Sequence, residues 1–196
     1  MDYLIHHGIK GMKWGIRRYQ NADGSYTPEG RKRYSRDRVF ISGSSKTQDK
    51  TSGYYRKNLP KSIKSEIDSY MRKRDTILVG DAPGIDRQVQ NYLKSKNYKR
   101  VVVYSPGSKA RYLADKKWKN KLIDASEFEP MSPEWLRKKD IAMTNDATKG
   151  LAVILDNGAT ATRNNVNRLI EQGKNAVIFE LSGSGRANDR YIEKLK

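Results

Sequence analysis

The sequence predicts an α/β fold: a Rossmann-like parallel sheet of about five strands with helices on both faces, preceded by an irregular basic arm. Three observations carry this. Five short runs are apolar nearly throughout, the pattern of strands covered on both faces. Segments of helical period lie between the later of them. Several runs also close in small or turn-forming residues, where a parallel sheet turns back into its next crossover.

Residues 1–36 come first and differ from the rest. Three glycines fall in the first fifteen positions, NADGSYTPEG reads as a turn, and RKRYSR (31–36) is a basic cluster. No period persists, so this stretch reads as an arm ordered against a partner or the domain surface. RVFISGS (38–44) is the first strand. After a polar loop, Ile63, Ile67 and Tyr70/Met71 mark a helix by their i, i+4, i+7/8 spacing. TILVGD (76–81) is the second strand, and Ile85, Val89 and Leu93 mark the helix after it. RVVVYSPG (100–107) is the third strand, stopped by Pro-Gly. The stretch 108–148 is lysine-rich, with a helix over SPEWLRKKDIAMTNDA (132–147) that has Ser132 as N-cap and Pro133 at N1. GLAVILDNG (150–158) is the fourth strand. A helix over 161–172 carries Val166, Leu169 and Ile170 and ends at Gly173. NAVIFEL (175–181) is the fifth strand, and residues 182–196 are a polar tail. The division is therefore 1–36, 37–181 and 182–196.

Bulk composition bounds the function. A chain of 196 residues allows one packed domain with an appendage. With no cysteine, disulfides and thiolate metal sites are excluded. The adjacent pair His6-His7 has no further ligands beside it, so no metal is expected, and no cofactor. Forty Lys and Arg against 22 Asp and Glu leave +18, which favours polyanionic partners. No stretch approaches the ~20 apolar residues of a membrane span, and the N-terminus lacks the apolar core of a secretion signal. A soluble protein that is not exported is the expectation.

Three strand ends are candidates for binding. ISGSSK (41–46), VGDAPGID (79–86) and LDNGATATRNN (155–165) all fall along one edge of a parallel sheet. Gly43, Gly80 and Gly84 let backbone approach a ligand, and free N–H groups at a helix start suit an anion. Ser42, Ser44, Thr160 and Thr162 add hydroxyl donors. Asp81 or Asp86 can accept from a ribose or a base, although Asp86 can equally serve the helix dipole.

Together FISGS, LVGDAPGIDRQVQNYL, VVVYSPG and KKDIAMTNDATKGLAVILDNGATATRNNVNRLIEQGKNAVIFEL resemble the SLOG superfamily of Rossmann-like proteins, and most closely its small YspA-like branch. The superfamily also holds nucleoside-monophosphate phosphoribohydrolases and the DNA-uptake protein DprA. The resemblance spans about 38–181 and implies a nucleotide-derived ligand, such as an ADP-ribose-like molecule or a nucleoside monophosphate. On that reading Gly43 and Ser44, the loop Gly80, Asp81, Ala82, Pro83 and Gly84 with Asp86, and the turn of Asn157, Gly158, Thr160 and Thr162 are ligand contacts. The hydrolytic branch carries a glutamate in PGGxGTxxE. Here Arg163, Asn164 and Asn165 follow Thr162, with no acid at that place. The expectation is binding without turnover.

The arm YLIHHGIKGMKWGIRRYQNADGSYTPEGRKRY is similar to a short module at an end of many phage and prophage virion-associated proteins, joined there to unrelated domains. This implies docking on a phage structural protein through Trp14, Arg17, Arg18, Tyr19, Arg31 and Arg33, and a place in the virion or the bacterial host cytoplasm. Three alternatives stand beside this reading. One is a structural capsid or head–tail connector component with a vestigial pocket. Another is a nucleoside-monophosphate N-glycoside hydrolase. The last is a DNA-binding protein: 46–74 is strongly basic, but its charges are spread over helix faces without a recognition signature, so weak, salt-sensitive nucleic-acid contact is expected.

Overall fold

The computed structural model describes residues 19–21, 25–30, 36–45, 58–155, 160–181 and 190–194. The chain divides into two compact units, Met1–Arg36 and Asp37–Lys196.

In the first unit the turn-like segment is a small hairpin. Gln20 and Tyr26 form an antiparallel bridge, and the Thr27 N–H donates to the Tyr19 carbonyl at 3.1 Å. The Thr27 hydroxyl accepts from the Gly30 N–H at 3.0 Å, capping a single helical turn that begins with Pro28. A Cβ at Gly30 would lie 1.9 Å from the Tyr19 carbonyl oxygen, so only glycine fits. Of the docking residues, Tyr19 belongs to this hairpin; Trp14, Arg17, Arg18, Arg31 and Arg33 lie outside the described residues.

The second unit is built on seven strands: β1 (Arg38–Gly43), β2 (Thr76–Gly80), β3 (Val101–Pro106), β4 (Lys119–Ile123), β5 (Lys149–Leu155), β6 (Asn175–Leu181) and β7 (Arg190–Lys194). They form one sheet in the order β4-β3-β2-β1-β5-β6-β7. The first six are parallel and β7 is antiparallel to β6. Among the described residues, four helices cover it: α1 (Lys61–Arg72), α2 (Ile85–Ser95), α3 (Pro133–Asp146) and α4 (Thr160–Glu171).

Strand alternation sorts the core into two layers. Val39, Ile41, Ile77, Val79, Val101 and Val103 face α1 and α2, where Ile63, Ile67, Val89 and Leu93 meet them. Phe40, Leu78, Tyr104, Ala152 and Ile178 face the other way, against Met143 of α3 and Val166 and Leu169 of α4. The Ser132 hydroxyl caps α3, accepting from the Trp135 N–H at 3.1 Å, and Gly173 ends α4 in the left-handed region at φ 72°.

All five expected strands are present, and two more join them. β4 (KNKLI) has no apolar run to announce it; it is an edge strand, where lysines are tolerated and block further pairing. Residues 190–194 were expected within a polar tail and instead pair with β6, Phe179 opposite Tyr191. Both corrections have one cause. Edge strands need cover on one side only, so pairing rather than hydrophobic pattern defines them.

From β1 the chain builds outward through β2, β3 and β4, then returns to lay β5 against the opposite side of β1. The strand order therefore reverses between β1 and β5, and the crevice at their carboxyl ends is where open α/β sheets place ligands.

Candidate functional site

β1 delivers Ser42, Gly43 and Ser44 to that crevice, with the Ser44 N–H donating to the Val153 carbonyl of β5 at 3.3 Å. β2 ends beside it at Gly80 and passes through Asp81, Ala82 and Pro83 into Gly84 and α2. The two turns are locked together. A Cβ on Gly43 would sit 2.4 Å from the Ile85 side chain, and one on Gly84 would sit 2.4 Å from the Ser45 carbonyl oxygen. Gly84 also adopts φ +83°, which glycine alone adopts without strain. The Ile85 N–H, at the start of α2, donates to the Ser44 carbonyl at 3.1 Å. Of the donors expected at this helix start, the Ile85 N–H is therefore already satisfied by the neighbouring turn.

The acids of VGDAPGID are turned inward. Asp81 is fully buried; its carboxylate accepts from the Arg111 N–H at 3.0 Å and from the Arg111 guanidinium at 2.5 Å. Asp86 is buried beneath Gly80 and accepts from the Ala82 N–H at 3.3 Å. Gly80 must be glycine because a Cβ would lie 2.3 Å from an Asp86 carboxylate oxygen and 3.0 Å from the Lys139 ammonium.

Lys139 comes from α3 and forms the centre of a buried polar chain. Its ammonium lies 2.5 Å from Asp140. The other oxygen of Asp140 accepts from the Asn165 side-chain amide of α4 at 3.2 Å, and the same amide reaches the Ser42 hydroxyl at 2.9 Å. Thus β1, α3 and α4 are tied by one chain of contacts just below the crevice, with Gly80 and Asp86 beside it. Thr162 is buried on α4 and Thr160 is exposed at its start; Asn157 and Gly158 lie outside the described residues. Pro83 is exposed, while Ala82, Gly84 and Ser44 are half-buried.

Burial is the largest single influence on both Asp86 and Lys139, with opposite outcomes. It raises the Asp86 carboxyl to about 7; Asp140 and Asp81 push the same way, against Lys139 and the Ala82 N–H. For Lys139 burial disfavours the charged form, but Asp140, Asp86 and Asp81 together outweigh it and hold the ammonium above its ordinary range. The site therefore contains one fixed buried cation and one carboxyl poised near neutrality.

A strap from the β3–β4 connection lies over the end of β2. Gln90 of α2 donates to the Gly80 carbonyl at 2.8 Å and to the Tyr112 carbonyl at 3.3 Å, and accepts from the Ala114 N–H at 2.9 Å. Arg111 adds its hold on Asp81, with its guanidinium 5.7 Å from the centre of a Trp135 ring. The lysine-rich stretch thus contributes this strap as well as an edge strand and a helix.

Sequence reasoning missed Lys139, Asp140, Asn165, Gln90 and Arg111. A signal existed for Lys139: Trp135, Lys139 and Met143 recur every fourth residue, which puts the lysine on the buried stripe of α3. Asn165 likewise stands among the inward residues Thr162, Val166 and Leu169 of α4. Nothing local marks Arg111, whose role depends on Asp81 thirty residues earlier. Among the described residues no group of three or more His, Cys, Asp or Glu is arranged to hold a metal.

Residues 1–21 match the model of a family of unknown function (DUF7211). No curated protein and no solved structure matches the chain.

Proposed function

We propose that the second unit binds a nucleotide-derived small molecule, an ADP-ribose-like molecule or a nucleoside monophosphate, at the β1/β5 crevice and does not turn it over. One observation carries this reading: the strand order reverses where Ser42, Gly43 and Ser44 end β1, with the GDAPG turn on the next strand. The resemblance to the SLOG superfamily supplies the ligand class. What supports the absence of turnover is that each acid described at this edge is engaged: Asp81 by Arg111, Asp140 by Lys139 and Asn165, and Asp86 by the Ala82 N–H. A glycosidic transition state needs a carboxylate free to face it.

For residues 1–36 the reading is a docking arm on a phage structural protein. Its support is the resemblance of this stretch to virion-associated modules. A protein so built would travel with the particle and sequester or sense a nucleotide signal used in host defence. Its recovery from infected cytoplasm but never from purified particles would end that part of the proposal.

The pocket is tested by thermal unfolding of the full chain against nucleoside monophosphates, ADP-ribose and cyclic nucleotides. A ligand at about 100 times its Kd adds about 2.7 kcal/mol, a shift of roughly 5–10 °C for a protein of this size. Pro83→Glu and Thr160→Glu, which place negative charge at exposed positions of the edge, should abolish the shift. No shift with any nucleotide overturns the reading. A second reading, cleavage of the N-glycosidic bond, is favoured by the Asp86 carboxyl standing near 7, where a general acid or base works best. It predicts release of free base that is lost in Asp86→Asn.

A further inference from the structure

The cations of the second unit differ in whether a carboxylate answers them. Arg38, Lys121, Lys138, Lys139 and Lys149, on β1, β4, α3 and β5, each pair with a carboxylate. Lys61 and Lys64 of α1, Arg87 and Lys94 of α2, and Lys96 just after it pair with none among the described residues. These two helices carry three acids. Asp86 is buried, Asp68 accepts from the Tyr92 hydroxyl at 2.7 Å, and Glu66 remains. Five cations without a carboxylate partner thus gather on α1, α2 and the residue that follows α2, although Arg168 and Lys174 on the α4 side lack one as well among the described residues.

Between α1 and α2 lies a cavity of about 240 Å³, with Lys64, Gln88, Asn91, Tyr92 and Ser95 among its lining residues. Lys64 and Lys96 stand 5.6 and 5.5 Å from the centre of the Tyr92 ring. Arg87 stands 4.6 Å from the Tyr112 ring, whose hydroxyl donates to Asn91 at 2.5 Å. The groove thus combines aromatic rings, neutral amides and a surround of unmatched cations. Among the described residues of the second unit, the exposed large apolar side chains Leu122, Met131 and Ile141 are all elsewhere. A lipid surface would need such groups here; a hydrophilic polyanion does not.

We propose that the α1–α2 face binds single-stranded nucleic acid, at a site separate from the carboxyl-edge crevice and independent of what that crevice holds. Bases have π-faces that stack on tyrosine, and the flanking lysines neutralise phosphates. A stacked base outweighs the exposed cation–π contact that it displaces and leaves the lysine free for the next phosphate. The amides of Asn91 and Gln88 meet sugar and base edges without demanding one sequence.

The test is fluorescence anisotropy of a dye-labelled oligothymidylate with the full chain, over a series of salt concentrations. Saturable binding should weaken with salt at a slope of about −0.7 per phosphate neutralised. Lys64→Glu/Lys96→Glu should weaken it about 10-fold or more. Arg137→Glu/Lys138→Glu makes the same charge change on α3 and should cost less than about 3-fold. Tyr92→Leu should cost between about 5- and 150-fold, while Tyr92→Phe, which keeps the ring, binds as the wild type does. Equal losses from the two charge reversals would reduce the effect to net charge and overturn the proposal. So would no saturable binding at low salt, or polyglutamate competing as well as the oligonucleotide, the mark of an acidic protein partner.

Discussion

Replacing Asp86 by asparagine should remove a pH dependence of folding that the wild-type protein carries between about pH 4 and pH 7. The carboxyl rises from 3.8 to about 7 in the folded protein, chiefly by burial, with Asp140 and Asp81 adding repulsion and Lys139 opposing it. Arg111 pairs with Asp81 and moderates that part of the repulsion. Because the folded state holds the proton more tightly than the unfolded chain, the linked stability is fully present below 3.8. It is lost as pH rises through about 7. Each unit is worth about 1.4 kcal/mol, so the two units between pH 5 and 7 amount to roughly 2–3 kcal/mol. Asp37 and Asp146 are shifted the opposite way, down, by their lysine partners in spite of burial. Their stability is present above 3.8 and lost as pH falls below it, outside this window and equally in both proteins. Urea unfolding at pH 5 and pH 8 decides the matter. The wild type should lose roughly 2–3 kcal/mol relative to Asp86→Asn on going to the higher pH, at unchanged m-value. Parallel profiles for the two proteins would refute the buried-carboxyl argument.

Gly84→Ala should destabilise by about 2–3 kcal/mol in urea unfolding, since it meets both a φ of +83° and carbonyl oxygens at 2.4–2.5 Å. Gly80→Ala should cost about 1–3 kcal/mol alone and clearly less in an Asp86→Ala background, where its nearest obstacle is gone; strict additivity in that cycle would deny the contact. Arg111→Ala leaves Asp81 buried without its cation and should cost about 3–5 kcal/mol, far more than Arg137→Ala, whose pair with Glu134 is exposed. Gln90→Leu should release the strap, seen as faster amide exchange at Ala114 while the core strands stay protected.

Much of this protein was legible in one dimension. Apolar runs such as VVVY and AVIF could only be covered strands, and Ile85, Val89 and Leu93 could only be the buried stripe of a helix, because burial imposes its own period on the chain. The turns that end β1 and β2 declared themselves through glycine, whose missing Cβ is a local demand. What the residues at those turns do was not legible. Asp81 and Asp86 read as acceptors for a ligand, yet their partners are Arg111 and Ala82, with Lys139 close by. A carboxylate looks the same in sequence whether it faces solvent or a buried ammonium. β4 and β7 were hidden for a related reason, since edge strands are defined by their neighbours and carry no pattern of their own. The sequence by itself determined the layers and the sheet edge at which the glycine turns of β1 and β2 lie, because hydrophobic period and backbone geometry act over a few residues. Only the tertiary structure decided that Lys139, Asp140, Asn165 and Ser42 share one buried chain, and that the lysines of α1 and α2 stand together unmatched. Those relations join residues from distant parts of the chain, and charge interactions depend on distance in space, which sequence separation does not supply.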